Sequence, residues 1–436
     1  MIYREVTCPV CGCGCDDIEV EVEDNTIKNV KDACGIGKSK FGEIGSLDRV
    51  LKPMKREGKD FVEISWGEAI DAAAKILVEA DHPLIYGFSE NSCEAMKVGI
   101  DIAERIRGFV DSQSSHCHGL TIIAEQRTGL PSCTLGMVMN YADLIIYWGS
   151  NAMDSHPRHM SRFSTYPRGI YRKQGRRDRK IVVLDVRKTC TAKIANHFIQ
   201  IEPNKDFELI SALRIALDGG EIKQEKIAGV TWEEIKKLAE MMKNCEYGVT
   251  FVGLGLTHSA GKYNNIDNLF SLAKKLNDYT RFSVIPMRGH YNVAGFNEVM
   301  TWRSGYPFAV DYFRGYPRYN PGETSVIDML ARKEVDAMLS ISADPGAHFP
   351  RKCVERMAEI PLISIEVART PTTELAELII PGVISGMESE ATYYRLDNVP
   401  LTAKKFLDPP FTQTSSDEKT LRMIYNRIVE LQEGRV

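Results

Sequence analysis

The chain has 436 residues, 43% hydrophobic and 26% charged, the composition of a globular protein long enough for two to four domains. Its net charge of −4 argues against a nucleic-acid partner, which calls for a basic face. No run approaches the roughly 18–20 apolar residues of a membrane span, and the N-terminus lacks the charged and apolar regions of a secretory signal and a twin arginine, so a cytoplasmic location is expected.

Four of the 11 cysteines, Cys8, Cys11, Cys13 and Cys15, lie within eight residues. In a long chain without a leader such thiols more often hold metal than form disulfides. Ile18, Val20 and Val22 then alternate with acidic residues, Asp24-Asn25 offers a turn, and Ile27 and Val30 follow. This pattern predicts a hairpin that returns Cys34 toward the first thiols. Cys8-x2-Cys11-x3-Cys15, with Cys34 after an 18-residue gap, suits the four corners of an iron–sulfur cubane. Four thiolates also suit structural zinc, but the x3 spacing and the glycines nearby favour the cluster. Cys13 is the spare thiol, able to replace Cys15 but read as a bystander. Lys38 is by itself an ordinary surface lysine; placed between the cluster and a second redox group, its charge would stabilise reduced states.

From about residue 56 the pattern becomes α/β. Ser65-Trp66-Gly67-Glu68 reads as a capping box before a helix with Ile70, Ala73, Ile76, Leu77 and Ala80 on one face. Strands are predicted over 83–88, 144–149, 181–186, 248–253, 337–341 and 361–367. Helices are predicted over 91–107, 205–217, 265–276 and, at the end, 417–431. Strands rich in Val, Ile and Leu between helices imply parallel sheets with covered faces. Ligands of such sheets gather beyond the carboxyl ends of the strands, which marks the loops at 149–151, 185–187, 253–255 and 342–344. The basic stretch 168–180 reads as a solvated surface loop.

Taken in order, these segments resemble the molybdopterin oxidoreductase family, which includes formate dehydrogenases. The likeness runs over nearly the whole chain: the N-terminal cysteines, Ile64-Ser-Trp-Gly-Glu-Ala69, Gly149-Ser-Asn-Ala-Met-Asp-Ser-His-Pro157, Val183-Leu-Asp-Val-Arg-Lys-Thr189, Ile201-Glu-Pro-Asn-Lys-Asp206, Gly253-Leu-Gly-Leu-Thr-His258, Arg288-Gly-His-Tyr-Asn-Val-Ala-Gly295, Leu378-Ile-Ile-Pro381 and Glu388-Ser-Glu-Ala-Thr392. The resemblance implies an α/β fold of the formate dehydrogenase type: a small β-rich [4Fe-4S] domain over 1–55, one α/β pterin-binding domain from 56–120 and 325–400, a second from 121–324, and a tail with a helix over 401–436. It also implies one tungsten or molybdenum ion held by two molybdopterin guanine dinucleotides. Cys8, Cys11, Cys15 and Cys34 would hold the cluster, with Lys38 between cluster and pterin. Asn151, Asp154, Ser155, Asp185, Arg187, Asp206, Leu254, His258, His290, Ser342 and Asp344 match cofactor-binding positions.

Ser115-His116-Cys117-His118-Gly119 matches the segment that gives the metal its protein ligand, and Arg288 matches an arginine that faces the substrate. Cys117, His118 and Arg288 thus resemble a formate/CO2 site. A soft thiolate suits a heavy metal, an arginine grips a carboxylate, and a histidine orients substrate or carries a proton. Relatives usually continue into a pterin-capping β-barrel domain, and its expected absence here implies a small partner subunit that supplies it. The compact Cys-rich start and the short chain are similar to the B-subunit family of formylmethanofuran dehydrogenases. That resemblance implies CO2 reduction to formate in this chain, condensation with methanofuran in an amidohydrolase-like subunit with a dinuclear metal site, and ferredoxin- or polyferredoxin-type subunits as electron donors. The alternatives are a formate dehydrogenase alpha subunit, a non-catalytic Fe–S electron-transfer subunit, and a zinc-stabilised binding module.

Overall fold

The structure, a computed structural model, describes residues 1–46 and 48–434. It divides into two compact units: 1–116, 290–395 and 400–436 form the first, and 117–289 with 396–399 the second.

The second unit is built on a five-stranded parallel sheet. Its order is His197–Gln200, Lys180–Asp185, Leu144–Trp148, Tyr247–Val252, Arg281–Pro286. Leu144–Trp148 is buried at every position, as helix-covered parallel strands require. The helices Asp206–Leu217, Trp232–Lys243 and Tyr263–Leu276 supply Leu209, Leu213, Ile235, Leu238, Leu269 and Leu272 to one core.

The first unit carries a nine-stranded mixed sheet whose central strands, Phe109–Asp111, Pro83–Gly87, Ala337–Ile341, Leu362–Glu366 and Leu378–Pro381, run parallel in that order. The hairpin Met54–Glu57/Asp60–Glu63 closes one edge antiparallel. The predicted capping box is present: Ser65 Oγ accepts from Glu68 N at 3.2 Å, and Glu68 Oε2 accepts from Ser65 N at 2.8 Å. Ahead of the sheet, Ile2–Val6, Ile18–Glu23 and Thr26–Lys31 form the expected small antiparallel sheet. Asp24 and Asn25 both take positive φ, 49° and 56°, the conformation of a two-residue hairpin turn.

The units group some segments differently from the sequence reading. Residues 290–324, placed there with 121–289, lie in the first unit, since Val310–Asp311 pairs antiparallel with Phe109–Asp111. The final helix Asp417–Glu433, expected in a tail over 401–436, belongs to the first unit, where Leu421, Ile424 and Ile428 are wholly buried. Residues 117–120 fall in the second unit. No helix among the described residues is long and apolar enough to cross a membrane.

Candidate functional site

The hairpin brings the N-terminal thiols together. Cys8 N donates to Cys15 O at 2.8 Å and Gly14 N to Cys11 O at 3.0 Å, folding the cysteine run into a knuckle. Cys34 caps the helix Gly35–Glu43, its Sγ accepting from Gly37 N at 3.3 Å. A Cβ on Gly37 would stand 3.6 Å from both Cys34 Sγ and Cys8 Sγ. Burial, then the neighbouring Cys11, Cys15 and Cys34, pushes the Cys8 thiol well above its usual range. Cys13 is buried and hydrogen-bonded to Cys11, which pushes its own thiol up. Among the described residues no three His, Cys, Asp or Glu side chains converge on a single metal-ion point. A cubane instead spreads its thiolates over the corners of a cluster, and thiols spaced this way fit one.

The first unit's strand order reverses between Pro83–Gly87 and Ala337–Ile341: the next strand in sequence lies on opposite sides of the two. Loops after such strands part and leave a ligand crevice. A cavity of about 430 Å³ opens there, lined by Lys40, Glu90, Ser342, Asp344, Glu366 and Val383. The two strand ends approach closely: a Cβ on Gly87 would stand 2.1 Å from Ile341 O. Asp417, fully buried on the last helix, organises the rim. Its Oδ2 accepts from Asn91 Nδ2 at 2.6 Å and its Oδ1 from Val383 N at 2.8 Å. Asn91 Nδ2 also donates to Ser342 Oγ at 2.9 Å. One carboxyl therefore ties the loops after three strands; burial pushes its pKa up to about 6. Asp344 Oδ1 is occupied by Thr372 N and Oγ1 at 2.9 and 2.6 Å. Lys38 lies exposed on its helix, and the lysine that lines the cavity is Lys40. His290 Nε2 is 3.8 Å from Glu90 Oε1, and its Nδ1 is buried without a partner among the described residues.

The second unit repeats this plan between Leu144–Trp148 and Tyr247–Val252. A Cβ on Gly253 would lie 2.1 Å from Gly149 O, and one on Gly255 2.8 Å from Gly149 Cα, so only glycines let these two loops meet. Asn151, Asp154 and Ser155 follow directly: Asn151 Nδ2 donates to Asp154 Oδ2 at 2.5 Å, and its Oδ1 accepts from Thr191 Oγ1 at 2.9 Å. Asp185 ends its strand, its Oδ1 accepting from Arg187 N at 3.2 Å, while Arg187 itself is exposed. Asp206 is buried and accepts from Trp148 Nε1 at 2.9 Å. Burial raises the pKa of both carboxyls, and the charge of Asp185 raises Asp206 further. Leu254 and His258 are exposed on the loop after Tyr247–Val252.

Cys117, His118 and Arg288 come together in this unit. The Arg288 guanidinium is near enough to Cys117 to lower its thiol, but burial wins and holds it at about 11. Arg288 is 4% exposed. Its Nη1 lies 3.3 Å from Asn398 Oδ1, its Nη2 3.8 Å from Glu125 Oε2, and its Nε has no partner among the described residues. His118 is buried, with Nε2 3.1 Å from Met287 O and Nδ1 3.3 Å from Thr121 Oγ1. Burial and the Arg288 charge push its pKa down to about 3. His156 is also buried and lowered by burial; its Nε2 is 2.9 Å from Arg288 O and its Nδ1 2.8 Å from Ser155 Oγ. A carbonyl only accepts, so each Nε2 carries the proton. Two neutral histidines thus hold the carbonyls of Met287 and Arg288 and fix the arginine's backbone. Sequence reasoning passed over His156, although it lies in the 149–157 segment; nothing in the sequence marked Asn91 or Asp417.

These residues fit the implied cofactors: thiols gathered near Gly37, a cavity at the first unit's switch point, glycine-built loops at the second unit's, and a buried guanidinium with an unused donor beside a thiol. Residues 49–425 match the molybdopterin oxidoreductase family. The chain is 48% identical to the B subunit of the tungsten-containing formylmethanofuran dehydrogenase 2 of Methanocaldococcus jannaschii, over 99% of each chain. Its identity to the protein of that description from Methanococcus maripaludis is 44%, again over 99% of each. Among solved structures, acetylene hydratase from Pelobacter acetylenicus matches with TM-score 0.74 at 15% identity, covering 98% of this chain and 69% of that one. A chain of the formyltransferase/hydrolase complex from Methylorubrum extorquens, in complex with methylofuran, matches with TM-score 0.71 at 20% identity, covering 87% of this chain and 99% of that one.

Proposed function

The chain belongs to the molybdopterin oxidoreductase family and, within it, with the B subunits of formylmethanofuran dehydrogenases, and we propose that it catalyses the reversible reduction of CO2 to formate. The net step is CO2 plus two electrons and one proton giving formate. The observation that carries this reading is Arg288, buried beside Cys117 with its backbone carbonyl and the one before it held by two neutral histidines.

Cys117 would be the protein ligand of a tungsten ion carried by two pterin guanine dinucleotides; the tungsten-containing relatives favour that metal. When bound, this centre would exchange two electrons with the carbon, and a [4Fe-4S] cluster on Cys8, Cys11, Cys15 and Cys34 would relay them singly. Because the Cys117 thiol stands at about 11, it would lose its proton on binding the metal. The Arg288 guanidinium would grip the carboxylate and stabilise charge on the CO2 oxygens. His118, with both nitrogens engaged, acts as a positioning residue for Arg288 and not as a free proton store. Asn151, Asp154, Ser155, Asp185, Arg187, Asp206, Leu254 and His258 would border one dinucleotide; His290, Ser342, Asp344 and Lys40 would border the other. The carboxylate oxygens of Asp185 and Asp206 would accept from the N–H donors of a guanine edge.

Formate would then condense with methanofuran in an amidohydrolase-like subunit with a dinuclear metal site. A small subunit would cap the pterins, and ferredoxin- or polyferredoxin-type subunits would deliver electrons. The test is elemental analysis of the native complex, purified anaerobically, beside Cys117→Ala. Tungsten or molybdenum near one per chain, with iron unchanged and activity lost in the variant, is expected. An active complex containing zinc but neither heavy metal would overturn the reading. An active complex without the amidohydrolase-like subunit would make the chain a formate dehydrogenase alpha subunit.

A further inference from the structure

Between the short helix His159–Arg162 and the strand Lys180–Asp185, the chain runs from 163 to 179 with one 3₁₀ turn, Gly175–Asp178. Irregular segments of this length inside a compact unit are uncommon and tend to be either disordered or functional. This one is locked. Arg179, 3% exposed, donates to Met139 O at 2.6 Å, Pro167 O at 2.7 Å and Thr165 O at 3.3 Å. Arg172 donates to Tyr141 O at 3.0 Å and to Glu246 Oε2 at 2.6 Å. Tyr171 stacks on Tyr141 with ring centroids 4.9 Å apart. Gly169 lies so close to Met139 O that a Cβ would stand 2.2 Å from it.

The locked loop holds its apolar side chains outward. Ile170 is 65% exposed, Tyr171 59% and Tyr166 47%. Arg168, Lys173 and Arg177 are exposed around them, and none has an ion pair among the described residues. This cationic rim stands out on a chain of net charge −4. We propose that this loop is a docking surface for an acidic face of another protein subunit.

Tyrosine and arginine are enriched among residues that dominate binding energy, and a loop already ordered loses little entropy on docking. An aliphatic and aromatic tip suits a protein pocket, and the unpaired cations select a partner with an acidic rim. An anionic membrane surface would instead favour an amphipathic helix with a long apolar face, which a caged turn does not present. The inference rests on the chain working inside a multisubunit assembly and is independent of which reaction the second unit performs.

The test compares the native complex with one carrying Arg168→Glu, Lys173→Glu and Arg177→Glu. Native mass spectrometry over a salt series gives the subunit set, and hydrogen exchange at 166–173 is followed in the complex and in the separated chain. The expected result is protection of the loop in the wild-type complex, together with loss of one and the same subunit from the variant, its affinity falling on the order of tenfold or more. Cross-links from Lys173 should reach acidic residues of that subunit. Equal exchange in complex and separated chain overturns the proposal, as does an unchanged subunit set with the same salt dependence. Cross-links only to a second copy of this chain, or binding only to anionic lipid vesicles, also overturn it. Heavy-metal content, measured on both complexes, reports separately on the pterin reading.

Discussion

Replacing Arg288 by methionine keeps an apolar stem of similar length and removes the guanidinium. In the structure that group sits 3.8 Å from the nearest carboxylate oxygen, of Glu125, with its own side chain 5% and that of Glu125 29% exposed. At an effective dielectric near 20 the attraction is about 4 kcal/mol, but burying the guanidinium offsets most of it. Glu125 keeps partial access to water, so losing the guanidinium should lower stability by only about 1–3 kcal/mol. The reaction loses more. A charged donor aimed at developing carboxylate charge contributes roughly 3–4 kcal/mol, so turnover should fall on the order of 100- to 1000-fold. The assay is formate oxidation with an artificial one-electron acceptor, on complexes matched for heavy-metal content. Cys117 gives a second readout: without the Arg288 charge its thiol should rise further, and its alkylation in the cofactor-free chain should slow. A methionine variant with full metal content and undiminished turnover would show that the arginine supports structure alone.

His159 gives a pH dependence of folding. It is buried edge-on against Phe251, with centroids 4.5 Å apart, and burial pushes its pKa down to about 3. A histidine whose folded pKa lies below its unfolded value of roughly 6.5 contributes stability above that value and loses it as pH falls. Going from pH 7.5 to 5.5 should therefore cost about 1.4 kcal/mol through this residue. Urea unfolding of His159→Phe at both pH values should show that share of the acid sensitivity gone, and an identical loss in variant and wild type would refute the linkage. Gly253→Ala puts a methyl group 2.1 Å from the Gly149 carbonyl oxygen, so the loops must part by about 1 Å. A stability loss of roughly 1–3 kcal/mol and poor pterin retention are expected in thermal melts and metal analysis. Gly136→Ala, whose nearest neighbour would be at 3.6 Å, is the control that should change neither.

The periodic elements and the local motifs are legible in the chain alone. The Ser65 capping box, the Asp24-Asn25 turn and the six predicted strands all depend on residues close in the chain, where backbone preference and burial pattern act directly. The cysteine spacing and the glycines at 149, 253 and 255 are legible for the same reason, since a tight turn or close approach leaves few residue choices. Whatever depends on side chains distant in sequence emerges only on folding. In isolation His118 reads as a residue that orients substrate or carries a proton, but the carbonyl of Met287 and the hydroxyl of Thr121 occupy its ring and burial removes its charge. The chain alone singles out Lys38, whereas Lys40, two residues on along the same helix, lines the cavity. Asp417 lies more than 300 residues from Asn91, and His156 meets Arg288 across 132 residues. Neither pairing leaves a local signal, because each exists only once the parallel strands have brought their carboxyl ends to one edge.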